Sequence, residues 1–143
     1  HAEGEEIPEL EAAELILLIY GLTTFFYDAN VVLGHLALAQ IYWQPDRGFM
    51  VSNYRTSWSS AVDPNIFYHL GYLEHLIQNA MGGKNRVSKG FSHVLDKLHA
   101  SAHRHGGYVS EEDFLNDLSH YLKRPRIPPN FQSAKIKEAL GLP

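Results

Sequence analysis

Cysteine is absent from all 143 residues. This excludes a disulfide scaffold, thiolate zinc sites and thiol nucleophiles together, and leaves His, Asp and Glu to hold any metal. It also leaves the compartment open, because a cysteine-free chain suits the cytosol and an oxidising space alike. No internal repeat or low-complexity tract is present. Ser57, Ser59 and Ser60 lie in a polar stretch without a Gly-x-Ser-x-Gly elbow, and "MGGKNRVS" lacks the spacing of a phosphate-binding loop. Hydrolytic and nucleotide chemistry therefore have no motif to stand on. An uninterrupted membrane-length apolar run is missing as well. "LILLIYGLTTFFY" has 13 residues against the roughly 20 needed to span a bilayer, and Asp28 and Asn30 follow before "VVLGHLALAQIYW" resumes with His35 and Gln40 inside it. A helical hairpin buried in the protein's own core fits that pattern better than a membrane hairpin.

Basic residues are scarce in the first 80 positions. Only Arg47 and Arg55 stand there, against ten acids, which gives 2 − 10 = −8; residues 81–143 hold ten bases and six acids, or +4. The sum is the net charge of −4, too small to draw the whole molecule to nucleic acid. Two halves folding against each other and partly neutralising is the simplest consequence. The alternative is that the basic half meets an anionic partner through Lys84, Arg86 and Lys89 or through Lys123, Arg124 and Arg126. Translation does not begin at His, so the chain is read as a processed form or a piece of something longer.

What is present is a chain rich enough in apolar residues, at 45%, to bury one sizeable core. The expectation is an acidic flexible arm over residues 1–8 and one helical domain over 9–143. Pro8 and the acids after it suit a helix start. "VDPNIFYHLGYLEHLIQNAMGG" predicts a helix with Asp63 as N-cap, an inward stripe of Ile66, Leu70, Leu73 and Ile77, and Gly82 and Gly83 as its stop. A further helix runs from Val87 to His103 with Phe91, Val94, Leu95 and Leu98 inward. Ser110 then caps another, answered by Asp113, with Phe114, Leu115, Leu118 and Leu122 as its core face. Pro125, Pro128 and Pro129 form a connector to a last short helix bearing Phe131, Ile136 and Leu140. Between Ile41 and Thr56, aromatic and β-branched residues flank Pro-Asp-Arg-Gly, which suits a hairpin turn. A helix continuing to Trp43 and followed by a loop competes with it. The predicted fold is a mainly α bundle of about five or six helices with room for one short β-hairpin near residues 41–56.

Three groups of residues carry the functional expectations. Tyr42, Trp43, Arg47, Phe49, Tyr54, Arg55 and Trp58 are residue types favoured at the centres of protein interfaces, and they predict a contact surface for another protein. Core cover is the competing role for the aromatics among them. Asp96, His99 and His103 fall at i, i+3 and i+7 of a helix face, and Asp117 with His120 repeats the Asp-x-x-His spacing on the next helix. Two such helices packed antiparallel could offer carboxylates and imidazoles to a divalent metal. His69 and His75 are six apart, about 600° along a helix, and so project some 120° away from each other without sharing an ion. "HASAHRHGGYVSEEDFLNDL" looks like an EF-hand loop, with Gly107 as the turn glycine, Val109 as the following apolar residue and Asp113 as the closing acid. On that register the first, third and fifth ligand positions are Ala102, Arg104 and Gly106, which supply no carboxylate, so calcium is disfavoured. A helix-turn-helix shape remains. Glu111, Glu112 and Asp113 in the first turn of its second helix would repel DNA phosphate. The sequence favours an interaction module without a cofactor over an enzyme, with a His/Asp metal protein and a non-specific nucleic-acid contact as alternatives.

Overall fold

A computed structural model describes residues 6–44, 48–52, 55–58, 66–103 and 106–122. Helix α1 (Glu9–Tyr27) is the central element. It starts after Pro8, carries Glu9 and Glu11 in its first turn where they complement the helix dipole, and is continuously buried over its middle, residues 15–23. Ala12, Ala13, Ile16 and Ile19 have no exposed surface. Burial on every side is what a helix without a polar stripe requires, and here the rest of the chain provides the cover. By length and composition alone α1 could cross a membrane. Its two threonines satisfy themselves within the helix: Thr23 Oγ1 donates to Ile19 O at 2.7 Å and Thr24 Oγ1 to Tyr20 O at 2.9 Å.

Asn30 stops α1. Its φ of 58° lies in the left-handed region, which Asn tolerates better than other non-glycine residues. The second half of the expected helical hairpin does not form. Val31–Leu33 is strand β1, residues 34–37 are irregular, and Leu38–Gln40 is a single 3₁₀ turn. The β-branched pair Val31-Val32 and Gly34 favour extended backbone over helix, and the left-handed turn at Asn30 has already redirected the chain. β1 pairs antiparallel with β4 (Thr56–Trp58), so the serine-rich stretch expected as a loop begins as strand.

Inside that outer pair, β2 (Ile41–Gln44) and β3 (Gly48–Val51) form the hairpin expected from Pro-Asp-Arg-Gly, in the register Ile41–Val51, Tyr42–Met50, Trp43–Phe49 and Gln44–Gly48. Gly34 N donates to Arg55 O at 2.8 Å and Ser52 N to Gln40 O at 2.9 Å, joining the two ladders into one long arm.

The helix expected from Asp63 to Gly82 is divided. Residues 59–65, with Asp63, lie outside the described residues; Ile66–Leu70 is 3₁₀, and α2 (Leu73–Ala80) begins after Gly71 and Tyr72. Gly71 is where the chain crosses Ala102 of α3, and a Cβ at position 71 would overlap the Ala102 Cβ. Gly82 and Gly83 end α2 with φ of 95° and 115°, as expected of the stop. Helix α3 (Lys89–Ala102) is capped by Ser88, whose Oγ accepts from Phe91 N at 3.2 Å. Helix α4 (Glu111–Ser119) is capped by Ser110, whose Oγ accepts from Asp113 N at 3.2 Å. There are four α-helices among the described residues, fewer than expected. The last expected helix, 131–140, lies outside them.

The core is one cluster with an aromatic centre. Tyr20 of α1, Phe67, Tyr108 and Phe114 of α4 meet with ring centroids 4.8 to 5.8 Å apart. Ser101 latches the segment between α3 and α4: buried, it donates to Lys97 O at 2.8 Å and accepts from Tyr108 N at 2.9 Å. Residues from the acidic arm are tied down too. Ile7 joins the core and its N–H donates to Ala80 O at 2.9 Å.

Candidate functional site

The hairpin arm has two unlike faces. Residues directly opposite each other on paired antiparallel strands share a face, and the next pair along takes the other. Ile41 and Val51 pack, partly buried, on the core. One step along, Tyr42 is 50% exposed and Met50 39% exposed. Leu38, in the 3₁₀ turn before β2, and Arg55 are exposed as well. Trp43, Phe49 and Trp58 are placed in strands by their backbones, and their side chains lie outside the described residues, as do Arg47 and Tyr54. Of the seven expected contact residues, Tyr42 and Arg55 are thus the two whose exposure is established.

The five expected metal ligands do not converge. Asp117 is held inside a structural network: Tyr108 Oη donates to Asp117 Oδ2 at 2.7 Å, Lys97 Nζ stands 3.9 Å from the same oxygen, and the ammonium also lies 4.5 Å from the Tyr108 ring centroid. His120 is the exposed C-cap of α4. The i, i+3 spacing of Asp117 and His120 is real, but the carboxylate is occupied by a phenol nine positions upstream. Among the described residues no group of three or more His, Asp or Glu could hold a metal ion.

His99 meets a different partner. Its Nδ1 lies 3.7 Å from Glu74 Oε1 on α2, and its ring centroid is 4.6 Å from that of His103. Burial raises the Glu74 carboxyl above its ordinary range; the Asp96 carboxyl hydrogen-bonded to it adds to the rise, and His99 opposes it. The result is a small cluster of Glu74, Asp96, His99 and His103 between α2 and α3. An ion pair of His99 with Glu74 exists there only when the imidazole is protonated.

The expected anion-contacting residues are split. Lys84 and Arg86 lie in a 3₁₀ turn and Lys89 opens α3, while Lys123, Arg124 and Arg126 lie outside the described residues. Arg86 is 3.6 Å from Glu6, and Glu9 Oε2 accepts from Ser88 N at 3.3 Å. One acid of the first half, Glu6, therefore stands beside one base of the second, Arg86, both largely exposed.

One cleft went unforeseen. It lies between the end of α1 and the start of α4, has a volume of about 400 Å³, and is lined by Tyr20, Thr24, Tyr27, Asp28, Phe67 and Glu111 among others. Tyr20 Oη donates to Glu111 Oε2 at 2.5 Å across 91 positions of sequence. Burial, with the Glu111 carboxyl beside it, pushes the Tyr20 pKa up from its ordinary 10.0. No periodicity joins residues so far apart, so no sequence signal points to this pair.

No protein-family model, curated protein or solved structure matches this chain.

Proposed function

We propose that this protein is a helical interaction module that binds another protein through the outward face of its β2–β3 hairpin. The observation that carries this reading is the split between neighbouring cross-strand pairs: Ile41 and Val51 hold the arm on the core, and Tyr42 with Met50 stands free of it. A tyrosine and a methionine paired on an exposed sheet face cost free energy in water and gain it in an interface, and both types are enriched there. Leu38 and Arg55 are exposed in the same stretch of chain. The partner this surface fits is a protein with an apolar patch. Engagement of Arg86 by Glu6 weakens the nucleic-acid alternative, and commitment of Asp117 to Tyr108 weakens the metal alternative.

A photo-crosslinking side chain at position 42, compared with one at the exposed Glu112 of α4, tests the surface in cells that make the protein. A discrete adduct is expected at 42 and none at 112, with Met50→Asp removing it at unchanged melting temperature. Once the partner is in hand, Tyr42→Ala should weaken binding by about 2 kcal/mol if the tyrosine anchors the contact. Matching adduct patterns at 42 and 112, or an adduct indifferent to Met50→Asp, overturn the reading.

A further inference from the structure

The carboxyl end of α3 carries a chemistry independent of the hairpin and of Asp117 and His120. His99 and His103 stand at i and i+4, about 400° along a helix, so their side chains leave the same face one turn apart. Position 103 closes the helix, and its N–H donates to Ala100 O at 3.1 Å. Both imidazoles meet solvent. The His99 side chain is 52% exposed, His103 is exposed, and their ring centroids lie 4.6 Å apart.

That separation has a chemical meaning. Two imidazoles on one zinc ion, each nitrogen at about 2.0–2.1 Å and the pair subtending roughly 90–110°, have ring centroids about 4.5–5 Å apart. The two rings therefore already keep the spacing that a shared ion imposes. Being exposed, the His103 ring can turn a nitrogen toward such an ion without any movement of the backbone.

A second observation concerns which nitrogen of His99 is available. Glu74 of α2 is only 20% exposed, and its Oε1 faces His99 Nδ1 at 3.7 Å. A carboxylate on that side favours the tautomer with its hydrogen on Nδ1 and leaves the Nε2 lone pair outward, which is how proteins orient metal-bound histidines. Asp96, hydrogen-bonded to Glu74, fixes the carboxylate in turn. Both acids and the negative end of the α3 dipole make this a place for a cation.

We infer that His99 and His103 chelate a divalent late-transition ion, Zn2+ or its neighbours Ni2+ and Cu2+, with Nε2 of His99 on the metal, Glu74 as the residue that positions that ring, and water completing the shell. Two protein nitrogens are what the fold supplies, since no group of three or more His, Asp or Glu converges among the described residues. Imidazole ligands suit these ions and are poor for Mg2+ and Ca2+, which prefer oxygen.

Calorimetric titration of the full chain with Zn2+, read beside hydrogen exchange of α3, tests the inference. Zn2+ is expected to slow exchange in the last turn of α3, which the chelate bridges, and Mg2+ to leave it unchanged. His99→Ala and His103→Ala should each abolish that protection while the metal-free protein keeps its melting temperature, because both side chains are exposed. His93→Ala, also exposed on α3, should leave the protection intact. Glu74→Gln should weaken Zn2+ binding by about tenfold or more, the usual effect of removing an orienting carboxylate. Protection that survives either histidine substitution, equal protection by Mg2+, or none at Zn2+ concentrations on the order of 1 mM overturns the inference. Affinity unchanged in Glu74→Gln reduces the pair to an adventitious chelator and overturns it as well.

Discussion

At Gly71 the absence of a side chain is a packing requirement. The backbone there passes against Ala102 of α3, and the missing Cβ is the room in which Ala102 sits. Gly71→Ala should destabilise the fold by about 1–3 kcal/mol, the usual cost of forcing a methyl into a filled interior. Ala102→Gly in the same chain should recover part of that loss, and a double-mutant cycle by urea unfolding reads the coupling. Additive losses would show that the two residues do not share this space. Neither residue announces the contact in sequence, since a glycine within a helical stripe reads as a mild helix breaker. Asp117 shows the converse. Its spacing from His120 is legible and suggests a ligand pair, yet the phenol of Tyr108 and the ammonium of Lys97 hold its carboxylate. Spacing reports which residues share a helix face and is silent on what the opposing elements bring to it.

Among the elements, the cap at Ser110 was legible, whereas the cap at Ser88 and the extents of the helices were not. Ser110 stands where a capping residue was expected and its hydroxyl accepts from Asp113 N. Ser110→Ala should therefore cost about 1 kcal/mol, with the faster hydrogen exchange confined to the first turn of α4. Exchange accelerated evenly over α3 and α4 would mean that the cap matters through tertiary packing instead. The pairing of β2 with β3, the stop at Gly82 and Gly83 and the inward faces of α3 and α4 were also readable, because each depends on residues within a few positions of one another. The division of the expected Asp63–Gly82 helix at Gly71 depends on α3, about 30 residues away, and could not be read locally. The run from Val31 to Gln40 misled for a related reason. Its apolar content serves a helix or a strand equally, and the left-handed turn at Asn30 together with pairing of residues 31–33 to 56–58 decided against helix.

On the scale of the whole molecule, the burial of tyrosine sets how the fold responds to alkali. Tyr20, Tyr72 and Tyr108 all have their pKa raised above the ordinary 10.0, by burial first in each case, and that of Tyr72 is pushed up to about 12. Ionisation is thus easier in the unfolded chain than in the folded one. The stability these groups contribute is fully present below pH 10 and declines as pH rises beyond it, since the unfolded state releases protons that the folded state retains. Alkaline titration should show part of the tyrosinate absorbance appearing together with the loss of helical circular dichroism, and Tyr72→Phe should make stability fall less steeply with pH. Ionisation of all eight tyrosines with the helical signal unchanged would contradict this. By itself the sequence determined the helical class, the β2–β3 hairpin, the cap at Ser110 and the division of charge, because short-range backbone preferences and composition govern them. Only the tertiary structure decided that Asp117 belongs to Tyr108, that Glu74 meets His99, and that Tyr20 and Glu111 close the base of a cleft. Those pairs join parts of the chain that come together only when the apolar surface of α1 is buried, and burial is indifferent to separation along the sequence.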